Sequence, residues 1–280
     1  PIWRSKDLAY WEWAGQVYQG EVPLWARVEV PEAHDVWAPE ISYDGKQYIL
    51  TFAISTFGSW RSVIGVATAP KIDPAAPWLW RDLGPIVESN ADTPFNAIDP
   101  CIVTSSEGGK SIVFGSQKQG IMLADLDPKS LTLTSEPRPI AARPDGSPME
   151  APYLVQRNGW WYLFVSYDAC CKGVESTYNV RVGRSKSIAG PYVDHQNRPM
   201  LKGGGMQILR RRAPQAGPGH CSVLERNGQW YIAHHYYDMN ADGRRTLSVR
   251  PIEWVDDWPR PGEPITEESA PKLGEAEGIG

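Results

Sequence analysis

Basic blocks are missing from this sequence. Lys and Arg number 28 against 33 Asp and Glu, for a formal net charge of −5. Nothing resembles the cationic patch that a phosphate-backbone partner calls for, which argues against nucleic acid as a ligand. Long apolar runs are missing too. None approaches the roughly 18 residues that cross a bilayer, so no membrane partner is expected. Cysteine is scarce. The 4 present, Cys101, Cys170, Cys171 and Cys221, are too few for a disulfide scaffold and match no zinc spacing. A bridge between the neighbours Cys170 and Cys171 would be strained, so all four are expected to be reduced. No leader is visible, but the chain begins Pro1-Ile2-Trp3 without Met, so this says nothing about export. Helical periodicity is almost absent, which points away from helical bundles.

What the sequence does have is 280 residues, 41% of them hydrophobic and 22% charged, enough for a large buried core. It is also rich in two aromatic types, with 13 Trp and 12 Tyr against 5 Phe. Trp and Tyr join an apolar face to a polar tip. Such a surplus suits sheet cores, which account for most of these residues, and platforms for sugar rings.

Short apolar runs recur in a fixed order. A strand follows a Gly turn at Gly45-Lys-Gln-Tyr48, Gly109-Lys-Ser-Ile112, Gly159-Trp-Trp-Tyr162 and Gly228-Gln-Trp-Tyr231. Each is preceded by another short strand, beginning near Pro39, Pro100, Pro152 and Cys221, and a tight polar turn makes each pair a hairpin. Third strands follow at 61–68, 120–125, 178–185 and 245–251, and a more variable fourth comes next. A repeated four-stranded antiparallel unit is the sequence form of a propeller blade. The spacing exceeds a minimal blade of about 40–50 residues, so loops are inserted. The predicted fold is an all-β, five-bladed propeller in one domain over 1–280. Its first blade is incomplete at the N-terminus (1–36), four further blades cover 37–255, and a tail covers 256–280. A four-bladed propeller with 1–36 as a decorated arm is the alternative.

First strands line a propeller's channel, so their entry ends meet at the axis. These read Trp37-Ala-Pro-Glu40, Asn96-Ala-Ile-Asp99, Met149-Glu150-Ala-Pro and Gly217-Pro-Gly-His220. Glu40, Asp99, Glu150 and His220 are therefore placed at roughly equivalent points. Carboxylates so crowded repel one another and raise at least one pKa. Two carboxyl groups across a sugar-sized gap are the equipment of glycoside hydrolysis, one protonated and one ionised. Glu150, between Met149 and Ala151-Pro152, is the better proton donor. Asp99, beside Asn96 and a turn, is expected to be ionised.

These residues carry a resemblance. Trp37-Ala-Pro-Glu40-Ile-Ser-Tyr, Ser55-Thr-Phe57-Gly-Ser, Asn96-Ala-Ile-Asp99-Pro, Glu150-Ala-Pro-Tyr153, Cys170-Cys-Lys-Gly-Val-Glu-Ser-Thr-Tyr-Asn179, Val182-Gly-Arg-Ser-Lys-Ser and Gly217-Pro-Gly-His220 occur in order at blade spacing. Together they make the chain similar to the endo-1,5-α-L-arabinanases of glycoside hydrolase family 43. The resemblance implies hydrolysis of internal arabinan linkages with inversion by three central carboxylates. Glu150 matches the acid, and Asp99 the residue that orients and tunes it. The base stands in a His-Asp-Pro type motif on a first strand not found here. Neither Asp7 nor Asp35 has that context, so no base is assigned and the chain as given is expected to be nearly inactive. Glu40, where Asp is usual, and Cys101 and Cys221, where Asn is usual, depart from the pattern.

Further expectations follow from the resemblance. His220 resembles a channel histidine that helps hold a central ion, usually calcium, largely through water. A lone His is otherwise more often structural. Trp37, Phe57 and Tyr153 are candidates to stack on arabinose, with packing as the competing reading. Asn96, Ser176 and Thr177 are candidate substrate contacts at the cleft wall. His234-His235 lies in an aromatic strand, so one ring faces inward and one outward, and the pair is read as structural. Arabinan or arabino-oligosaccharides are the expected partners of a monomer that is secreted in its full-length form. An exo-acting arabinofuranosidase or β-xylosidase, and a non-catalytic sugar-binding propeller, are the alternatives.

Overall fold

The computed structural model of the protein describes residues 1–19 and 22–271. Its strands are β1 (Ile2–Arg4), β2 (Glu12–Gly15), β3 (Trp37–Tyr43), β4 (Tyr48–Ile54), β5 (Ser62–Ala69), β6 (Arg81–Ser89), β7 (Cys101–Thr104), β8 (Lys110–Phe114) and β9 (Ile121–Leu126), then β10 (Arg138–Ala141), β11 (Met149–Arg157), β12 (Trp160–Tyr167), β13 (Asn179–Ser185), β14 (Met206–Leu209), β15 (Gln215–Arg226), β16 (Gln229–Asp238), β17 (Arg244–Val255) and β18 (Trp258–Pro261). β3 to β18 form four antiparallel sheets of four strands, each a meander in chain order. The first strands β3, β7, β11 and β15 neighbour one another in sequence, so they line the centre of a β-propeller. Among the described residues, β1 and β2 pair only with each other.

Middle strands are buried on both faces. β5 and β8 are buried along their whole length, while the outer β6 is half exposed. This explains the continuous apolar runs in place of strict alternation: a blade is covered by a neighbour on each side. One core joins Ile64 and Val66 to Ile112 and Phe114, a second joins Val113 and Leu123 to Leu163 and Val165, and a third joins Phe164 and Val182 to Val223 and Ile232.

The N-terminal residues stand between the first and last of these blades. Leu8 packs on Tyr231 and Val249. Val22, Ala26, Val30 and Ala33, around the short helix α1 (Ala26–Glu29), pack on Leu50, Phe52, Ile54 and Val63. Trp25 stacks on Phe52 at 6.1 Å and donates from Nε1 to Asp82 at 3.1 Å. Gly65 has to be glycine here, because a Cβ would meet the Trp25 ring at 2.5 Å and the Phe52 ring at 2.6 Å.

The segment read as a partial blade over 1–36 holds one two-stranded sheet and α1, and one boundary differs from the sequence expectation. The segment read as a tail from residue 256 contains β18, the outermost strand of the last blade, because Trp258 to Pro261 pair with Val255 to Ile252 across the turn at Asp256-Asp257. The end of that tail, 272–280, lies outside the described residues.

Phe52 is fully buried between β5 and the N-terminal segment. Phe52→Ala is expected to lower stability by about 3–5 kcal/mol and to expose the segment around α1 to protease. Urea unfolding and limited proteolysis measure the two effects.

Candidate active site

Each inner strand has, within it or just before it, one non-glycine residue in the left-handed region: Ala38 (φ 45°), Asp99 (φ 57°), Ala151 (φ 54°) and His220 (φ 49°). The pairing register shifts at Trp37/Glu40, Glu150/Tyr153 and Gly219/Ser222. A bulge of this kind bends a strand and re-aims its side chains, and such backbone is concentrated at functional sites. It gives the four blades a common reference point. Asp99 and His220 occupy it, and Glu150 stands one residue before it.

Glu40 stands two residues past it, level with Cys101 and Tyr153. This corrects the placement of Glu40 beside the other three. Its carboxylate accepts from Ile102 N–H at 3.4 Å and from Thr51 Oγ1 at 3.5 Å, and burial pushes it up to about 8. It does not line the cleft. Tyr153, expected beside the acid, lies at this deeper level among core side chains and does not line the cleft either.

The cleft has a volume of about 750 Å³. Asp99, Glu150, His220, Asn96, Trp37 and Phe57 all line it, so the structure brings these six expected residues together. Phe57 is 87% exposed at its rim. Ser176 and Thr177 are not among its lining. Ser176 is buried and accepts from Lys172 N–H, and Thr177 Oγ1 accepts from Ala169 N–H. They fold the loop whose Cys170, Cys171 and Tyr178 do reach the cleft.

Asp99 is 7% exposed, and its Oδ2 accepts from the N–H of Ala151, the residue after Glu150, at 3.0 Å. Glu150 Oε1 accepts from Tyr178 Oη at 2.8 Å, and Oε2 from Ser116 Oγ at 2.9 Å. Burial, reinforced by the Glu150 charge, lifts the Asp99 carboxyl well above the usual carboxylate range. Against the expectation of an ionised Asp99, its site disfavours the charged form. One backbone N–H is too little to replace the water its site has lost. Burial holds His220 below its usual range, against an upward pull from Glu150.

Several cleft residues were not singled out from sequence. His235, read with His234 as structural, lines the cleft, while His234 is buried. The alternation of the strand sends the two rings to opposite faces, as expected, and the cleft is what the second one meets. Burial brings His235 down to about 4, and its buried Nε2 has no hydrogen-bond partner. Ser116, Trp60, Tyr237 and Arg245 also line the site. One repeat carries part of this signal: Ser55 and Ser116 each follow a blade's second strand directly or by one glycine.

Cys170 and Cys171 form a disulfide, and Cys101 and Cys221 are free and buried. The expectation of four reduced thiols fails for the neighbouring pair. Cys171 adopts the left-handed region (φ 65°), and its N–H donates to Tyr237 Oη at 2.8 Å, so the loop backbone departs from the extended form in which adjacent side chains diverge.

The expected calcium has one candidate contact in the cleft, His220. His220, kept neutral by burial, offers a ring nitrogen, whereas calcium takes oxygen ligands. Among the described residues no group of three or more His, Cys, Asp or Glu side chains could hold a metal ion. An ion here would rest on water with His220 as its protein contact.

The chain matches the family model described as Glycosyl hydrolases family 43 over residues 1–259. It is 35% identical over 259 residues to the extracellular endo-alpha-(1->5)-L-arabinanase 1 of Bacillus subtilis (strain 168), covering 92% of this chain and 78% of the relative. Among solved structures, an exo-1,5-alpha-L-arabinanase from a bovine ruminal metagenomic library superposes with a TM-score of 0.88 at 37% identity, covering 93% of this chain and 89% of that one. The alpha-L-arabinanase of Cellvibrio cellulosa complexed with arabinohexaose superposes with a TM-score of 0.88 at 30% identity, covering 93% and 87%.

Glu40 and Asp99 make stability depend on pH in one direction. Each carboxyl is raised in the folded state, so the native chain keeps a proton that the unfolded chain has released. Stability therefore falls as pH rises through the unfolded values near about 4, and for Glu40 the fall ends near about 8. Glu40→Gln is expected to raise the urea midpoint at pH 8.5 and to leave it unchanged at pH 4. Equal midpoints at pH 8.5 would show that the carboxyl keeps its water.

Proposed function

The chain belongs to glycoside hydrolase family 43, and from that premise we propose that it cleaves internal α-1,5-arabinofuranosyl linkages of arabinan with inversion. The observation that carries the reading is the pairing of Asp99 with the backbone behind Glu150 at the base of a sugar-sized cleft. Glu150 donates the proton to the departing oxygen. Asp99 fixes the peptide that follows Glu150. Being buried beside it, Asp99 also makes double ionisation of the pair unfavourable. Trp37 and the exposed Phe57 offer aromatic faces to the arabinose rings, and Asn96 a polar edge.

An endo mode suits a cleft with Phe57 standing free at its rim, since a chain can lie across it. The exo name of the ruminal relative keeps end-wise cleavage as the competing reading. Product sizes from linear arabinan decide: oligomers are expected early, and arabinose or one short product from the start would favour the exo mode.

Inversion needs a base carboxylate about 6.5–9.5 Å from the acid, with water between them. Asp99 and Glu150 are the carboxyl side chains among the described residues lining the cleft, and Asp99 is tied to the backbone N–H of Ala151. No base is assigned. The sheet of β1 and β2 stands between the first and last complete blades, and we read it as part of a fifth. The expected calcium, held through water near His220, is assigned no step. The Bacillus relative is named extracellular, and secretion is proposed for this protein too.

The 280-residue chain is expected to bind arabino-oligosaccharides and to hydrolyse them slowly, roughly 10²–10⁴-fold below a complete acid–base pair. Added azide is expected to raise turnover. It attacks C1 on the face opposite Glu150 and forms a β-arabinosyl azide, while Glu150 protonates the leaving oxygen. Rapid hydrolysis of linear arabinan without azide would show that a carboxylate beyond the described cleft residues serves as base.

A further inference from the structure

Glu150 is gripped from two sides. Tyr178 donates to Oε1 from the loop entering β13, and Ser116 donates to Oε2 from the loop leaving β8. The two donors and the acid thus come from two blades. Tyr178 is 1% exposed. Burial, then Glu150 and Asp99, lift its phenol well above the ordinary range, so it remains a neutral hydroxyl.

The ring of Tyr178 is itself held in place. Its N–H and that of Thr177 donate to Ala169 O at 3.1 and 3.0 Å. Behind the ring lies Gly219 of β15, where a Cβ would come within 1.9 Å of Tyr178 Cδ1. At Gly217 a Cβ would come within 2.5 Å of Ser176 Cβ. The two glycines flanking Pro218 therefore make the bed on which the Tyr178 loop lies.

We propose that Tyr178 and Ser116 are the positioning residues of the proton donor Glu150, and that residue 219 is glycine so that the Tyr178 hydroxyl can reach it. This rests on the assignment of Glu150 as the acid. The donor chemistry fits a group that cycles between two protonation states. A hydroxyl both donates and accepts. Each can donate to the carboxylate and turn round to accept from the carboxylic acid, so the carboxyl keeps its orientation before and after the proton leaves. An ammonium or guanidinium clamp can only donate, and its charge would favour the carboxylate over the acid that Glu150 must be before the proton leaves.

The test compares two leaving groups, with azide as nucleophile in both. An arabino-oligosaccharide needs protonation at its departing oxygen, whereas a 2,4-dinitrophenyl arabinobioside does not. Tyr178→Phe and Ser116→Ala are each expected to slow the oligosaccharide by about 10–100-fold and the aryl substrate by less than about threefold, with KM little changed. Gly219→Ala is expected to reproduce Tyr178→Phe. Equal losses on both substrates, or no loss on either, overturn the proposal. If the unsubstituted chain turns over neither substrate, the hydrolase reading fails and a double-mutant cycle in urea between Tyr178→Phe and Glu150→Gln decides the contact alone. A coupling of about threefold or more in the unfolding constant supports it, and additive effects overturn it.

Discussion

Each blade is stitched to the next by a side chain that takes a backbone N–H from the neighbouring inner strand, and the cleft depends on these stitches. Glu40 takes Ile102 N–H, Asp99 takes Ala151 N–H and Ser166 takes His220 N–H. Two of the three donors, Ala151 and His220, are themselves left-handed residues. A left-handed residue interrupts the ladder and leaves a backbone donor without its strand partner. Buried, that donor is unfavourable by about 1–3 kcal/mol unless something accepts from it. The kink that turns Glu150 toward the axis thus creates the group by which Asp99 locates it.

The stitches place acids where water is scarce. Glu40 and Asp99 are both pushed up by burial, and His220 and His235 are pushed down. Every one of these shifts disfavours the charged form, so the carboxyls work against stability above about pH 4 and the imidazoles below about pH 6.5. The cores between blades supply the offset. Residues such as Phe114, Leu163 and Phe164 are fully buried there, and a buried side chain of this kind contributes about 1.5–3 kcal/mol. Strain and desolvation gather at the axis, and apolar packing gathers further out along each blade. The wedge formed by Leu8 and by Val22 to Ala33 extends that packing onto the two blade faces that no complete blade covers.

The repeat was legible in the sequence because a Gly turn followed by an aromatic strand survives every variation in loop length. Asp99 and Glu150 were legible because they stand at entries of that repeat. Glu40 stands in the same repeat and was misplaced by two residues. The cause is the bulge, which inserts residues into one strand but not its partner, so equal positions in sequence are not equal heights in the channel. Tyr153 was misplaced by the same offset. Tyr178 and Ser116 were not legible, because their role depends on where two loops of unequal length end. The Cys170–Cys171 bridge was not legible, because the left-handed backbone of Cys171 leaves no mark in the sequence. The strand Trp258–Pro261 was missed because the outer strand of a blade is half exposed and shows little apolar pattern.

The imbalance between Tyr and Phe acquires a structural meaning from the same feature. Sheet packing and sugar stacking would both accept Phe, yet the chain has 12 Tyr and 5 Phe. Buried tyrosines here place the ring in the core and send the hydroxyl to a loop. Tyr162 donates to Asp257 O, Tyr167 to Gly204 O and Tyr192 to Ile188 O. Tyr237 accepts from Cys171 N–H, and Tyr178 donates to Glu150. A propeller needs this more than most folds, because its long loops leave many backbone groups without strand partners. A ring anchored between sheets can reach such groups with little further loss of side-chain freedom. Four of these tyrosines hold up the scaffold's loops. The fifth applies the same device to a carboxyl group, so an element of loop architecture becomes part of the reactive centre.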